Sequence, residues 1–261
     1  MLLGVNIDHI AVLREARKIN DPNPLDALGI CKLSGADQIT IHLREDRRHI
    51  HDNDAAAICA QSSLPVNLEC SLNPDIIDIV CKLRPARATL VPENRNEVTT
   101  EGGLDLKSNF EKLQKAIDKL HQNEIEVSLF IDPNSEMIEL SQQLEVEWIE
   151  LHTGTFANVY AMLHSNLSQS HHSIKELEIS KSELKTKLDK SIKEIEKASK
   201  LAKKLNLKIA AGHGLNYQNV NLISRIPEIE ELNIGQSIIA RSVFIGLSQA
   251  IIDMRELIKN D

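Results

Sequence analysis

Two ionisable residues sit in apolar, β-rich runs that have little use for them. His42 lies near the end of DQITIHL (37–43), and Glu69 lies inside VNLECS (66–71). Burying such a group costs several kcal/mol unless it is paired, so residues of this kind point to structural pairing or to proton transfer. His213 is a third, set between Gly212 and Gly214 at the end of LKIAAGHG (207–214). The flanking glycines let a ligand approach the backbone, while the imidazole exchanges a proton near neutral pH. EWIELHTG (147–154) adds Glu150 and His152. Two histidines and one or two carboxylates serve several proton transfers on one bound intermediate when their surroundings push their pKa values apart. His121, His171 and His172 lie near a helix end or in a polar loop and carry no such expectation.

Anion binding is the second theme. GHGLNY and NIGQSI each place glycine between a strand and a helix start, where Gly214, Gly235 and the amides of Gln236 and Ser237 form a cradle for a phosphate. REDRRH (44–49) carries three arginines, and Arg14 and Arg17 follow the first strand. Such a set suits an anionic substrate with more than one charged group. The positive sites are local, because 30 Lys+Arg against 38 Asp+Glu leave a net charge of −8. No basic block exists to neutralise a nucleic-acid backbone, so nucleic acid is excluded as a partner.

These residues need a frame that gathers them. Strand-like runs at 2–8, 37–43, 66–71, 88–92, 125–132, 147–154, 207–214 and 229–235 alternate with helical patterns. Among the helices are one started by Asn23-Pro24 and ended by Gly35, one near 53–62, one near 217–225, and a last one over 237–258. Eight strand-then-helix units predict an α/β fold, a (β/α)8 TIM barrel with extra helices, as one domain over 1–261. A doubly wound open sheet is the alternative, but the first strand-to-helix turn lacks GxGxxG. Barrel active sites form at the carboxyl ends of the strands. That end collects Asn6, Asp8 and His9, then His42, Arg44 and His49, then Glu69, Glu93, Asp132, Glu150, His152, His213 and Gly235. The stretch from strand six to strand seven is too long for one crossover, which predicts a helical insertion at about 160–190. It comprises a polar loop at 163–173 and an amphipathic helix or helical pair over 174–205 that packs on the barrel or on a second subunit.

Composition is ordinary for a soluble globular protein: 42% of residues are hydrophobic but only 3% aromatic, so aliphatic side chains must fill the core. Apolar runs fall far short of the ~18 residues of a membrane span, and MLLGVNIDHI has no signal-like pattern, so a cytoplasmic protein without membrane contact is expected. Cys31, Cys59, Cys70 and Cys81 form no CxxC pair and read as reduced, buried thiols.

The motifs GVNIDHIAVLR, HLREDRRHI, NLE, LVPENRNEVTTEGGLD, SLFID, IELHTG, AGHGLNY and ELNIG stand in this order along the chain. Together they resemble the pyridoxine 5′-phosphate synthase family, from Leu3 to the C-terminal helix except about 160–190. The resemblance implies a homo-octamer of (β/α)8 barrels with no metal and no organic cofactor. It implies condensation of two small phosphorylated substrates, 1-deoxy-D-xylulose 5-phosphate and 3-amino-2-oxopropyl phosphate, to pyridoxine 5′-phosphate, phosphate and water. By the same resemblance His42 and Glu69 are proton acceptors, His213 a proton donor and Glu150 a transition-state stabiliser. Asn6, Arg17, Gly214, Gly235 and Gln236 match contacts to the aminoketone phosphate; Asp8, His9, Arg44, His49 and Thr99 match contacts to the deoxyxylulose phosphate. Gln236 departs from the family's usual histidine, a mild change if the backbone amide makes the contact. A Schiff-base aldolase would want a lysine at a strand end, and none occupies one. A metal hydrolase would want HxH or HExxH, and both are missing. A non-enzymatic scaffold would have no use for ionisable residues at a barrel mouth.

Overall fold

The computed structural model describes residues 1–93 and 102–259. Eight strands, β1 (Leu2–Asn6), β2 (Gln38–His42), β3 (Val66–Cys70), β4 (Arg87–Leu90), β5 (Glu126–Ile131), β6 (Trp148–His152), β7 (Lys208–Gly212) and β8 (Glu231–Ile234), close into a barrel in chain order. Every neighbouring pair is parallel, including β1 with β8. This is the (β/α)8 architecture that the alternation predicts.

Side chains alternate along each strand, so one set packs on the helices and the other fills the barrel. Ile39, Ile41, Leu68, Leu90, Ile149, Leu151 and Leu232 belong to the apolar set and are fully buried. The barrel interior is polar instead. At its amino-terminal end Arg87 binds both oxygens of Glu231 at 2.9 and 2.7 Å, Gln38 donates to Glu231 at 3.1 Å, and the Arg87 guanidinium stacks 4.1 Å over Trp148. These four residues open the even-numbered strands, the layering expected of a barrel. One layer up, Thr40 donates to Asn233 and Thr89 to Asn67. These bonds satisfy most of the polar filling, while Asn67 Nδ2, Arg87 Nε and Ser128 Oγ are buried without a hydrogen-bond partner among the described residues.

The helices are α1 (Asp8–Arg17), α2 (Ala27–Leu33), α3 (Asp52–Gln61), α4 (Pro74–Leu83), α5 (Leu106–His121), α6 (Ser135–Gln143), α7 (Gly154–His164), α8 (Lys181–Lys204), α9 (Val220–Ser224), α10 (Gln236–Ile245) and α11 (Leu247–Ile258). Several bounds correct the sequence reading. Helix α1 occupies what reads as a polar stretch, because Ile10, Ala11 and Arg14 bury one face of it. Asp8 and His9 therefore open a helix instead of ending a strand, and the Asn6 side chain marks the change by accepting the Asp8 N–H at 2.9 Å. The helix expected from Asn23-Pro24 begins as a 3-10 turn at Pro24–Asp26. The long helix expected from 174 begins only at Lys181, where Ser180 and Glu183 form a reciprocal capping box. Its predecessor α7 stands separately, and α8 packs on α7, α6 and β7, which makes it the crossover helix of the sixth unit. The C-terminal helix is two helices, parted at Gly246 with φ +81°.

Candidate active site

A cavity of about 550 Å³ opens among the carboxyl ends of the strands. Asn6, His9, His42, Glu69, Glu150, His152, His213, Gly214, Gly235 and Gln236 line it. All ten are residues singled out in the sequence, carried by six different strands or the turns after them. A larger groove of about 790 Å³ lies between α7, α8 and the turn after β5, and shares Gly102 and His152 with the mouth. The mouth cavity is the candidate site because the ionisable strand-end residues converge there.

His42 and Glu69 are register partners on β2 and β3, so their side chains project side by side; His42 Nδ1 lies 3.9 Å from Glu69 Oε2. On the other edge of the imidazole, Nε2 lies 3.9 Å from Glu93 Oε2. Both of those atoms are buried without a hydrogen-bond partner among the described residues. Buried polar atoms of this kind are unusual, and a substrate hydroxyl or amine between them would satisfy both. Burial pushes His42 down to about 3, helped by the Arg44 cation and by the nearness of His49. The imidazole is therefore neutral near pH 7 and open to receive a proton. Burial likewise raises the Glu93 carboxyl above its usual range.

Asp8 organises the first turn. Its Oδ1 accepts the backbone N–H of His42 at 2.9 Å and its Oδ2 accepts from the Asn6 amide at 2.8 Å. Asp8 thus ties the end of β1 to the end of β2 and aims Asn6 across the mouth. Arg44, 2% exposed, holds Asp46 at 3.3 Å and lies 3.7 Å from Glu93. His49 accepts the Ile50 N–H on Nδ1 at 2.8 Å, which leaves its hydrogen on Nε2. Burial, then Arg44, hold His49 down to about 4. The 44–49 loop is fastened from outside by Arg14, which grips Asp54 at 2.8 and 2.7 Å and donates to the His49 carbonyl at 2.9 Å. Asp8, Arg44 and His49 thus stand behind the cavity wall, and Arg17 is exposed in the last turn of α1. Thr99 lies outside the described residues.

The opposite wall is built by β6, β7 and β8. Glu150 is 3% exposed and accepts from the Asn233 amide at 2.7 Å. Burial raises its carboxyl well above the ordinary value, with Glu231 adding to the rise. Gly212 faces it so closely that a Cβ would fall 2.2 Å from Glu150 Oε1. His213 follows with φ +77°, a backbone conformation that a non-glycine residue adopts at a cost. Thr153 secures that turn through its hydroxyl, 2.7 Å from both the Gly212 and His213 carbonyls. Burial, then His152, hold His213 down to about 4.

Beside His213 lie the two glycine turns that the sequence reads as an anion cradle. Gly214 has φ +82°, and Gly235 abuts Asn6 so that a Cβ would come within 2.8 Å of it. Gln236 and Ser237 open α10, whose free N–H groups and dipole favour a negative charge. Ser237 donates to the Leu215 carbonyl at 2.9 Å and fastens the two turns together. Among the described residues no group of three His, Cys, Asp or Glu side chains is placed to hold a metal ion.

Comparison with known proteins places the chain in a family. The family model for pyridoxal phosphate biosynthesis protein PdxJ matches residues 3–260. A pyridoxine 5′-phosphate synthase of Aliarcobacter butzleri (strain RM4018) is 87% identical over 261 residues, covering 100% of both chains. One of Sulfurovum sp. (strain NBC37-1) is 64% identical over 258 residues, covering 99% of this chain and 100% of that one. Among solved structures, phosphoribosyl anthranilate isomerase from Thermococcus kodakaraensis superimposes with a TM-score of 0.59 at 13% identity, covering 100% of this chain and 99% of that chain. A 3-hexulose-6-phosphate synthase gives 0.59 at 12% identity, covering 99% and 100%. At such identities the structural likeness speaks for the barrel fold alone. The sequence matches span nearly the whole chain, and the chain is an enzyme that belongs to the PdxJ family of pyridoxal phosphate biosynthesis proteins.

Proposed function

We propose that the chain, as one domain, condenses 1-deoxy-D-xylulose 5-phosphate with 3-amino-2-oxopropyl phosphate to give pyridoxine 5′-phosphate, inorganic phosphate and water. The observation that carries this reading is the arrangement of His42 and Glu69 on one wall of a single cavity and Glu150 and His213 on the other, beside a glycine-lined anion cradle. Joining an amine to a ketone, expelling water and phosphate and aromatising a ring need proton transfers at several atoms of one intermediate. Neutral His42 and Glu69 accept protons. His213 returns them, once a phosphate dianion in the Gly214–Gly235 cradle has favoured its imidazolium. Glu150, with its raised pKa, offers a hydrogen bond to oxygen that gains charge in the transition state. Asn6, Arg17, Gly214, Gly235 and Gln236 hold the aminoketone phosphate. His9 and Thr99 contact the deoxyxylulose phosphate, and Asp8, Arg44 and His49 support that contact from behind the cavity wall. Two anchored phosphates fix the reacting carbons, where orientation contributes most.

The reading extends to a homo-octamer. All the exposed large apolar side chains among the described residues lie on β1, α1 and the turn after it, α2, α10 and α11, which pack as neighbours on one side of the barrel. A patch confined to one side favours self-association. The free thiols Cys31, Cys59, Cys70 and Cys81 fit a reducing, cytoplasmic setting. The test is direct: purified protein mixed with both phosphorylated substrates yields pyridoxine 5′-phosphate, seen by its absorbance. Unreacted substrates in the presence of folded protein would overturn the assignment.

A further inference from the structure

Strand β6 ends in a histidine that the proposed proton transfers leave unused. His152 is 5% exposed, and its Nδ1 lies 3.1 Å from Oδ1 of Asp132, the residue after β5. Bonding to His152 keeps the Asp132 carboxyl below its usual range, so it is ionised and only accepts. Nδ1 of His152 then carries a hydrogen toward Asp132. The same Asp132 oxygen accepts the Gly103 N–H at 3.0 Å, which ties it to the chain entering α5.

On its other side His152 meets His213 edge to face, with ring centroids 5.0 Å apart at 62°. Phe130 of β5 closes the cluster, 5.1 Å from His152 and 6.3 Å from His213. Gly154 leaves room for this packing: a Cβ there would stand 2.4 Å from His152 Nε2 and 3.0 Å from His213 Cδ2. Among the described residues no hydrogen bond holds the His213 imidazole, so its orientation depends on the rings beside it. A line of contacts therefore runs from the anchored carboxylate of Asp132 through a tautomer-fixed His152 to His213.

We propose that Asp132 and His152 are positioning residues for His213: the Asp132–His152 hydrogen bond fixes the plane of the His152 ring, and that ring orients the His213 imidazole toward the substrate. The proposal rests on the reading of His213 as proton donor. It is tested by kinetics and by the imidazole ¹⁵N resonances of the whole enzyme. His152→Phe and Asp132→Ala should each lower kcat about tenfold or more while KM for both substrates stays within about twofold. Asp132→Asn, whose amide oxygen still accepts from Nδ1–H and from Gly103, should recover to within about threefold of wild type. In a His213→Ala background, His152→Phe should cost less than about twofold more, because residues that act through one another do not add. The ¹⁵N spectrum should show His152 as the Nδ1–H tautomer in wild type. An Nε2–H tautomer, an equal loss in both backgrounds, or a Asp132→Asn as slow as Asp132→Ala would overturn the proposal. Wild-type enzyme without turnover would sink the functional reading instead, while the tautomer would still report on the Asp132–His152 pair.

Discussion

His42 and Glu69 stand side by side because β2 and β3 are in register at these two residues, and each is a candidate base with its own neighbours. Removing one leaves the other in place, so neither substitution should abolish folding. Glu69→Gln and His42→Ala are each expected to lower turnover by roughly 10² to 10⁴, the usual worth of a positioned acid or base, with thermal unfolding close to wild type. Near-normal turnover in either variant would remove it from the mechanism. Glu150 allows a prediction of another kind. Its folded pKa is raised by burial, so between the unfolded value and that raised value the folded chain binds more protons than the unfolded chain. Stability then falls as pH rises through this window, and the buried carboxylate burdens the fold above it. Glu150→Gln keeps an oxygen to accept from the Asn233 amide and cannot ionise. The variant should therefore melt at a higher temperature than wild type at about pH 8.5 and at nearly the same temperature at about pH 5. An equal difference at both values would mean that Glu150 ionises normally in the fold.

At the scale of elements, the anion cradle is a backbone device, formed by the turn after β7 and the start of α10. Gln236 opens α10; if its backbone amide makes the contact, Gln236→His should change the apparent affinity for the aminoketone phosphate less than about tenfold, or roughly 1.4 kcal/mol. Gly214 is different, because its φ is +82° and a Cβ would sit 2.5 Å from the Ala157 Cβ. Gly214→Ala should destabilise by about 1–3 kcal/mol and raise KM for the aminoketone phosphate. Both effects are read by thermal melting and steady-state kinetics, and a Gly214→Ala enzyme with unchanged KM would show the cradle to lie elsewhere. The same elements mark where sequence reasoning reaches and where it stops. The strands were legible because aliphatic runs such as ITI and LFI alternate with helical patterns, and the strand-end ionisable residues stood out against them. Helix α1 was not, because Arg14 takes one of its buried positions and saves itself by pairing with Asp54, a contact 40 positions away. The start of α8 differs from the apolar spacing because Ile174 continues that spacing from outside the helix, while the Ser180–Glu183 box sets the boundary. The link from Asp132 to His152 and His213 joins three strands, and spacing along one chain cannot report it.

Across the whole molecule, polar and apolar surfaces are unevenly shared. Helix α8 carries Lys and Glu on its outer faces and buries Leu184, Leu188, Ile195 and Ala198 against the barrel and its neighbours, so its apolar stripe is already used within the chain. The other side differs: Leu33 of α2 is 90% exposed and Phe244 of α10 is 88% exposed. Neither packs on its own chain, so an acidic residue at either position costs the isolated barrel little. In an interface, two buried carboxylates without partners would cost several kcal/mol, enough to disperse contacts of ordinary size. The double variant Leu33→Glu, Phe244→Glu should therefore keep the circular dichroism of the barrel while its mass by light scattering falls below that of wild type. Turnover per chain then separates two cases. If the site is complete within one chain, the smaller species keeps its kcat, and if a neighbour supports the exposed end of α1, where Arg17 stands, KM rises. An assembly of unchanged mass would show that this apolar side is not the one through which copies of the chain meet.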